Sequence, residues 1–277
     1  MSDTGKQTPA NRYSDDLRLA HVIADQVDAM TMARFRALDL HVDTKPDHTP
    51  VSDADRAAEE FIRAQLARAR TRDSIVGEEY GVSAGGARRW IIDPIDGTKN
   101  FVRGVPVWAT LIALADTVTY DDGSQGDEIV VGLVSAPALG RRWWAAQGSG
   151  AWTGRSLSSA TQIHVSGVTT LEDASFSYSS LSGWEKYGKA QGFWQLTRRC
   201  YRTRAYGDFW SYMLLAEGAV DIAAEPELEL YDMAALVPIV TEAGGRFTSI
   251  DGQPGPWGTN AVATNSALHD EVLVYLG

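Results

Sequence analysis

The sequence predicts an α/β protein in which helices and strands pack in layers. Segments with apolar residues at helical spacing alternate with short apolar segments rich in β-branched residues, and this alternation is present in both halves of the chain. The 277 residues are 44% hydrophobic and 22% charged, the balance of an ordinary globular protein. That length is enough for one large domain or for two lobes that share a core.

The first half of the chain is expected to hold a tail, two helices and five strands. Residues 1–13 are polar and lack a periodic apolar pattern, so we predict a disordered tail there. Helices are predicted over residues 14–35 and 53–69, with a proline-containing loop over residues 44–52 between them. Strands are predicted at residues 74–77, 90–93, 107–115, 128–135 and 141–146. A long solvated hairpin rich in Gly, Asp and Ser would join the third and fourth strands through residues 121–127.

A Ser/Thr-rich stretch at residues 153–162 separates the two halves of the sequence. We therefore expect an N-terminal lobe, residues 14–155, and a C-terminal lobe, residues 156–277. In the second lobe, strands are predicted at residues 174–179 and 220–224. Helices are predicted there at residues 187–199, 209–218 and 233–243, and the last is ended by two glycines.

Composition excludes several classes of protein. The formal net charge of −11 argues against binding to a nucleic acid or to an acidic membrane surface. No segment approaches the roughly 20 consecutive apolar residues of a membrane-spanning helix. The single cysteine, Cys200, cannot form an intrachain disulfide, which favours a cytoplasmic enzyme. The same negative charge would repel a phosphate ester, so a phosphate site in this chain should hold cations among its carboxylates.

The strongest functional signal is a pair of aspartates, Asp93 and Asp96, that follow a predicted strand with a proline between them. The apolar side chains of Ile91, Ile92 and Ile95 draw this segment toward the interior. Buried carboxylates that lie close together require a cation or protons, and magnesium prefers carboxylate oxygens combined with phosphate and water. The alternative is an Asp-rich surface turn, which the apolar neighbours disfavour.

Further residues extend this predicted site. Gly97 and Thr98 follow at a predicted helix start, where backbone amides favour a bound phosphate. Glu78 and Glu79, at the end of the preceding strand, form the nearest additional acidic pair. Asp232 lies far away in sequence at another predicted helix start, where an aspartate is also common as a simple helix cap.

Three segments together resemble the inositol monophosphatase superfamily. They are Gly77-Glu78-Glu79, the run from Trp90 to Phe101 with its Asp-Pro-Ile-Asp-Gly-Thr core, and Tyr231-Asp-Met-Ala-Ala235. The resemblance covers about residues 14–275. It implies the layered α/β/α/β/α sandwich of that superfamily and a homodimer.

The resemblance also implies a magnesium site with two to three ions. Glu78, Asp93 and the Ile95 carbonyl would bind the first ion. Asp93, Asp96 and Asp232 would bind the second, and a third, weaker ion would share Glu78 and water. The implied phosphate-binding residues are Ile95, Asp96, Gly97 and Thr98.

The implied catalytic residues are Asp55, Glu78, Glu79 and Thr98. Asp55 matches the aspartate that partners the threonine hydroxyl, so this pair would orient the attacking water. Lys45 and Asp47 match a mobile loop of the superfamily. Taken alone, Asp55 could instead cap a helix and Lys45 could be a solvated loop charge.

Substrate choice in the superfamily lies mainly in the second half of the chain, and the implied substrate-binding residues are Arg204, Asp208, Glu225 and Asp232. Inositol-type members commonly have a small residue at the position of Asp208. An anionic side chain there favours a cationic substrate, although Asp208 could also cap the following helix. Glu225 matches a polyol-binding glutamate, and Arg204 would support the site or contact the substrate.

Four further segments, residues 100–108, 135–144, 176–184 and 204–208, resemble the actinobacterial histidinol-phosphatase branch of the superfamily. This implies L-histidinol phosphate as the substrate. The alternatives are an inositol monophosphatase or a broad-specificity sugar or nucleotide phosphatase. A non-catalytic module that binds magnesium or a phosphometabolite is disfavoured, because it would not need the predicted water-orienting pair.

Overall fold

The computed structural model describes residues 12–46, 49–120 and 122–277, which form three sheets surrounded by helices. The helices are α1 (Ser14–Arg34), α2 (Asp53–Ala69), α3 (Thr98–Val102), α4 (Leu181–Lys186), α5 (Ala190–Arg199), α6 (Asp208–Ala216), α7 (Leu230–Met233), α8 (Leu236–Glu242) and α9 (His269–Leu276). The strands are β1 (Val42–Thr44), β2 (Pro50–Ser52), β3 (Ser74–Gly77), β4 (Gly81–Ser83), β5 (Arg89–Asp96), β6 (Ala109–Thr119), β7 (Gln125–Ala136), β8 (Arg141–Ala146), β9 (Ala151–Gly154), β10 (Thr161–Ile163), β11 (Ser175–Tyr178), β12 (Arg202–Arg204), β13 (Ile222–Glu225), β14 (Arg246–Thr248) and β15 (Ala261–Thr264).

These elements stack in five layers. Helices α1 and α2 cover one face of an eight-stranded sheet with the order β10-β9-β8-β7-β6-β5-β3-β4. Helices α6 and α8 fill the space between this sheet and a five-stranded sheet with the order β12-β11-β13-β15-β14. Helices α4, α5 and α9 cover the outer face of the second sheet. The predicted α/β/α/β/α sandwich is confirmed.

Several predicted boundaries are wrong. Strands β6 and β7 remain paired as far as Thr119 and Gln125, so residues 125–127 of the predicted hairpin belong to β7. The outer ends of these strands are partly exposed and carry polar side chains, which hides the apolar pattern of a strand. The helix predicted at residues 187–199 begins only at Ala190, because Gly188 adopts a left-handed conformation with φ of 70°.

Both boundaries of the predicted N-terminal lobe, at residues 14 and 155, differ from the structure. Tyr13, assigned to the disordered tail, is buried and donates a hydrogen bond of 3.2 Å to Asp116, because its ring packs with α1 against the large sheet. Strand β10, beyond residue 155, still belongs to the eight-stranded sheet. The rest of the predicted tail, residues 1–11, and the loop residue Asp47 lie outside the described residues.

The loop predicted between the first two helices contains strand residues. Strands β1 and β2 pair antiparallel at its two ends. In place of one helix predicted at residues 233–243, the structure has two. The first is α7, a single turn that begins at Leu230 and carries Asp232, and the second is α8. No helix in the described ranges has the length and apolar character needed to cross a membrane.

Trp143, Trp144 and Trp184, three of the nine tryptophans, belong to the core. Trp143 and Trp144 lie on β8 with their side chains on opposite faces of the large sheet, and Trp184 stacks on Phe193 with ring centroids 4.8 Å apart. All three are at most 2% exposed. Their burial agrees with a packing role.

Gly132 on β7 sets how closely α8 approaches the large sheet. A Cβ atom at this position would lie 2.2 Å from the carbonyl oxygen of Ala235. We expect Gly132→Ala to lower the free energy of unfolding by about 2–3 kcal/mol and the melting temperature by about 5–10 °C. Calorimetry measures both quantities. Gly167→Ala is the matched control, since a Cβ there meets no atom within 4 Å; equal losses in the two variants would contradict the packing argument.

Candidate active site

A β-bulge in β5 brings the two central aspartates together. Asp93 pairs with Leu111 and Asp96 with Ala109, so the register with β6 shifts by one residue between them. Without the bulge, residues three apart on a strand would point to opposite faces of the sheet. Pro94 supplies no amide hydrogen, which a bulge tolerates, and its carbonyl accepts a 2.8 Å hydrogen bond from Thr110. The predicted end of this strand at Asp93 is therefore wrong.

Asp232 completes a cluster with these two residues. One carboxylate oxygen from each of Asp93, Asp96 and Asp232 lies within 4.8 Å of the others. Asp232 is the third residue of α7, and it accepts a 2.8 Å hydrogen bond from the backbone amide of Glu229. It is thus part of a capping box as well as of the cluster, and the simple cap expected as an alternative is only half of its role.

The cluster has unusual proton affinity. Burial, followed by repulsion from Glu78, raises the pKa of Asp93 well above its ordinary value. Burial and repulsion from Asp208 raise the pKa of Asp96 in the same way, although the amide of Phe209 donates a 2.8 Å hydrogen bond to its carboxylate. Burial is also the main reason why the pKa of Asp232 is raised to about 7. Such a set of oxygens suits a hard divalent cation, which would replace the protons.

Glu78 and Glu79 reach the cluster from the end of β3. The parallel pairing of Gly77 with Ile92 places Glu78 beside Asp93. Lys45 bridges the two glutamates, with its Nζ 2.7 Å from Glu78 and 2.6 Å from Glu79. The predicted loop lysine therefore lies in the site and is not a solvated charge.

Glu59 supports this acidic pair from beneath and was not predicted from the sequence. It is fully buried on α2, and its carboxylate accepts hydrogen bonds from the amides of Glu79, at 2.7 Å, and Tyr80, at 3.1 Å. Arg63, one helical turn later, pairs with it at 2.7 Å. A buried glutamate that accepts hydrogen bonds from the amides of a turn holds the backbone of that turn in place, and so fixes the direction of the Glu78 and Glu79 side chains. The Glu-to-Arg spacing of four residues was the available signal.

Asp55 and Thr98 form the predicted pair. The Thr98 hydroxyl lies 3.2 Å from Asp55 Oδ1 and 3.0 Å from the Ile95 carbonyl oxygen. The other oxygen of Asp55 accepts hydrogen bonds from the amide of Ser52 at 2.8 Å and from its hydroxyl at 2.5 Å. Asp55 therefore caps α2 and contacts Thr98 at once, so the two interpretations of this residue are compatible.

Gly97 forms the turn between β5 and α3. Its φ of 82° is left-handed, and a Cβ there would lie 3.0 Å from the carbonyl oxygen of Val107. A side chain at this position would be strained and crowded. Glycine is therefore required at this turn, both by its backbone conformation and by the close packing of residues 107 and 108 against it.

A second group of acidic residues borders the cluster. Asp208, the first residue of α6, lies close enough to Asp96 to raise its pKa, and Asn100 donates a 3.2 Å hydrogen bond to the Asp208 carboxylate. Glu225, at the end of β13, is 4% exposed, and burial and then repulsion from Asp208 raise its pKa to about 8. Asn100, which also donates to the Val107 carbonyl at 2.9 Å, was not predicted as a site residue.

Arg204 is not drawn into this group. It lies exposed on β12, the edge strand of the smaller sheet, and donates to the carbonyl of Thr203 at 2.7 Å. Within residues 12–46, 49–120 and 122–277, no carboxylate forms an ion pair with it. Its predicted contact with the substrate stays a prediction.

Comparison with known proteins identifies the family of the chain. The sequence pattern that defines the inositol monophosphatase family matches residues 13–276. The chain belongs to the inositol monophosphatase family. The family resemblance inferred from the three acidic segments is thereby confirmed.

Individual members of the family resemble this chain over almost their whole length. A histidinol-phosphatase of Streptomyces coelicolor is 67% identical over 264 residues, which are 95% of this chain and 97% of the relative. A histidinol-phosphatase of Mycobacterium tuberculosis is 57% identical over 263 residues, covering 95% and 98% of the two chains. A solved inositol monophosphatase of Zymomonas mobilis superposes with a TM-score of 0.81 at 34% identity, covering 96% and 98%.

Proposed function

We propose that this chain is a magnesium-dependent phosphatase that hydrolyses L-histidinol phosphate to L-histidinol and phosphate. The observation that carries the choice of substrate is the Asp208 carboxylate, which is fixed by Asn100 beside the candidate metal cluster. An anionic group at this place attracts an ammonium or imidazolium group and repels a second phosphate. The histidinol-phosphatases that this chain resembles support the same substrate.

The candidate metal ligands are Glu78, Asp93, Asp96, Asp232 and the Ile95 carbonyl, which together would hold two to three magnesium ions. Bound magnesium would neutralise the phosphate oxygens and lower the pKa of the attacking water. The raised pKa values of Asp93 and Asp96 support this assignment, because a buried carboxylate cluster is costly unless cations or protons compensate it.

The remaining residues would orient the reaction. The Thr98 hydroxyl would accept a proton from the attacking water while its own proton passes to Asp55, to which it already donates a hydrogen bond. The water oxygen then attacks phosphorus in line. The bond from phosphorus to the ester oxygen breaks, and the departing alkoxide takes a proton from solvent. As the family resemblance implies, the backbone at Gly97 would bind a phosphate oxygen, and Glu79 would act through its contact with Lys45.

On the alcohol side, Asp208 and Glu225 would bind the cationic part of the substrate. The pKa of Glu225 is raised to about 8 by burial and by the negative charge of Asp208, so a bound cation would stabilise its ionised form. The chain therefore offers two carboxylates for two hydrogen-bond donors of histidinol phosphate, the ammonium group and the imidazole.

A phosphate-release panel tests the substrate. We expect kcat/KM for L-histidinol phosphate to exceed the values for inositol 1-phosphate, fructose 1,6-bisphosphate and a 3′-phosphonucleotide by at least about a hundredfold, about 2.7 kcal/mol of transition-state selectivity. Faster turnover of inositol 1-phosphate would support the inositol monophosphatase alternative. Absence of turnover for every ester in the presence of magnesium would support a non-catalytic module.

Removal of magnesium should destabilise the protein in a pH-dependent way. The pKa values of Asp232, about 7, and Glu225, about 8, exceed the ordinary value of a carboxyl group near 4 because of burial. The metal-free folded state therefore binds protons more tightly than the unfolded state. This stabilisation is complete below about pH 4 and is lost as pH rises through 7 to 8.

We accordingly expect the rise in melting temperature on adding magnesium to be about 4 °C larger at pH 8 than at pH 5.5. Thermal unfolding with EDTA or MgCl2 at the two pH values measures it. Calcium at the same ionic strength is a control for cation size, and sodium is a control for screening. An equal magnesium effect at both pH values would contradict metal binding by the carboxylate cluster.

We also propose a homodimer that works in the cytoplasm. The family resemblance supports the dimer, and the single cysteine together with the biosynthetic relatives supports the compartment. Light scattering coupled to size-exclusion chromatography would give a mass near twice 30.1 kDa for this assembly. A mass near the monomer value would exclude it.

A further inference from the structure

Tyr212 is a buried polar residue in the middle of the molecule that packing alone does not explain. Its side chain is 0% exposed and lies in the core between the two sheets, with its ring 5.5 Å from that of Phe247. A phenylalanine would fill the same space. A buried hydroxyl without a partner costs about 1–3 kcal/mol, so this position carries a polar group at the expense of stability.

The hydroxyl of Tyr212 lies next to Glu225. The Tyr212 hydroxyl lies within reach of the Glu225 carboxylate, as does Ser179, and each of the first two groups influences the pKa of the other. Among the described residues, however, neither the Tyr212 hydroxyl nor Oε1 of Glu225 has a partner with full hydrogen-bond geometry. Two neighbouring buried polar atoms without partners are rare in proteins. Their position beside the candidate metal cluster, where Asp96 and Asp232 also act on Tyr212, indicates a role in the site.

The helix connects Tyr212 to the other acidic residue on the alcohol side. Asp208 and Tyr212 are four residues apart on α6 and therefore lie on one face of it, one turn above the other. The hydroxyl of Ser211, on the same helix, is also buried, but it is hydrogen-bonded to Ser177 of β11 at 2.7 Å. The rotation of α6 that presents Asp208 thus also directs Tyr212 toward Glu225.

We propose that Tyr212 is a positioning residue for substrate selection, whose hydroxyl orients the Glu225 carboxylate toward the cationic part of the substrate. This inference rests on the proposed function. A phenolic hydroxyl that donates to one carboxylate oxygen leaves the other oxygen to accept from an ammonium or imidazolium group. Tyr212 does not contact the reacting phosphorus, so it acts on binding of the alcohol portion and not on the attack.

Tyr212→Phe tests the proposal, with L-histidinol phosphate and phenyl phosphate as the two substrates. We expect KM for histidinol phosphate to rise about tenfold while kcat changes less than about threefold, so the ratio of kcat/KM between the two substrates falls. The free energy of unfolding should not decrease. Ser211→Ala is the matched control on the same helix, because it removes a paired hydroxyl and should lower stability without changing the ratio.

A double-mutant cycle with Glu225→Gln tests whether Tyr212 acts through that carboxylate. In the Glu225→Gln background, Tyr212→Phe should change the substrate ratio by less than about twofold. Independent effects of the two changes would overturn the positioning role, as would equal losses on both substrates in Tyr212→Phe. If the wild-type protein itself shows no preference for histidinol phosphate, the proposed function is overturned and this role with it. If the wild-type protein prefers histidinol phosphate and Tyr212→Phe keeps the same preference, only the role of Tyr212 is overturned.

Discussion

Asp93→Asn should abolish phosphatase activity while making the metal-free protein more stable. Asp93 is 1% exposed and is surrounded by Glu78, Asp96 and Asp232. An amide has the same shape but lacks the charge that would hold magnesium, so kcat should fall by at least about a thousandfold, about 4 kcal/mol of transition-state stabilisation. The same change removes repulsion inside the cluster. We therefore expect the melting temperature in EDTA at pH 8 to rise by several degrees.

Asp116→Asn is the matched control for this experiment. Asp116 is also a buried aspartate of the large sheet, but it pairs with Arg12 and Tyr13 away from the cluster. The control should lose stability and keep activity within about twofold. The magnesium-dependent rise in melting temperature should disappear in Asp93→Asn and persist in the control. A full magnesium response in Asp93→Asn would contradict the assignment of this carboxylate as a ligand.

Asp208→Asn should convert a selective enzyme into a less selective one. The backbone of Asp208 has a φ of 50°, a left-handed conformation that asparagine also tolerates, so the substitution preserves the local fold. It removes the charge that attracts a cationic substrate. We expect kcat/KM for L-histidinol phosphate to fall about 30- to 100-fold, the loss of one charge-assisted interaction, and kcat/KM for phenyl phosphate to fall much less.

Glu227→Gln controls for the general loss of negative charge near Asp208. Glu227 is exposed, two residues after Glu225, and pairs with Lys186 and Tyr187 at 2.6 Å. This variant should change both substrates by less than about twofold, because an exposed ion pair is worth little. Parallel losses on histidinol phosphate and phenyl phosphate in Asp208→Asn would show that Asp208 serves the metal cluster and not the amine.

Much of the fold could be predicted because it depends on local patterns. The helix of residues 53–69 and the strand of residues 141–146 match α2 and β8 to the residue, since a continuous run of one periodicity has clear ends. The errors occur where no local pattern exists. The outer ends of β6 and β7 are polar, and their strand conformation comes from pairing with each other.

The candidate site divides in the same way. The sequence by itself predicts which residues carry the chemistry, because Asp93 and Asp96 stand out by type and by their setting among apolar neighbours. The resemblance to the family adds Asp232 to them. The same resemblance predicts that Asp208 distinguishes substrates. These are properties of residues and short segments, so they do not require knowledge of the chain path.

Only the tertiary structure decided how these residues meet. The bulge in β5 turns Asp96 to the side of Asp93, and it exists because β6 pairs with both parts of the strand in shifted register. Glu59 holds the turn of Glu78 and Glu79 from a helix about 20 residues earlier, and Asn100 fixes Asp208 across 108 residues. Contacts between distant segments depend on strand register and helix rotation, which the packing of the whole sandwich sets and no local pattern records.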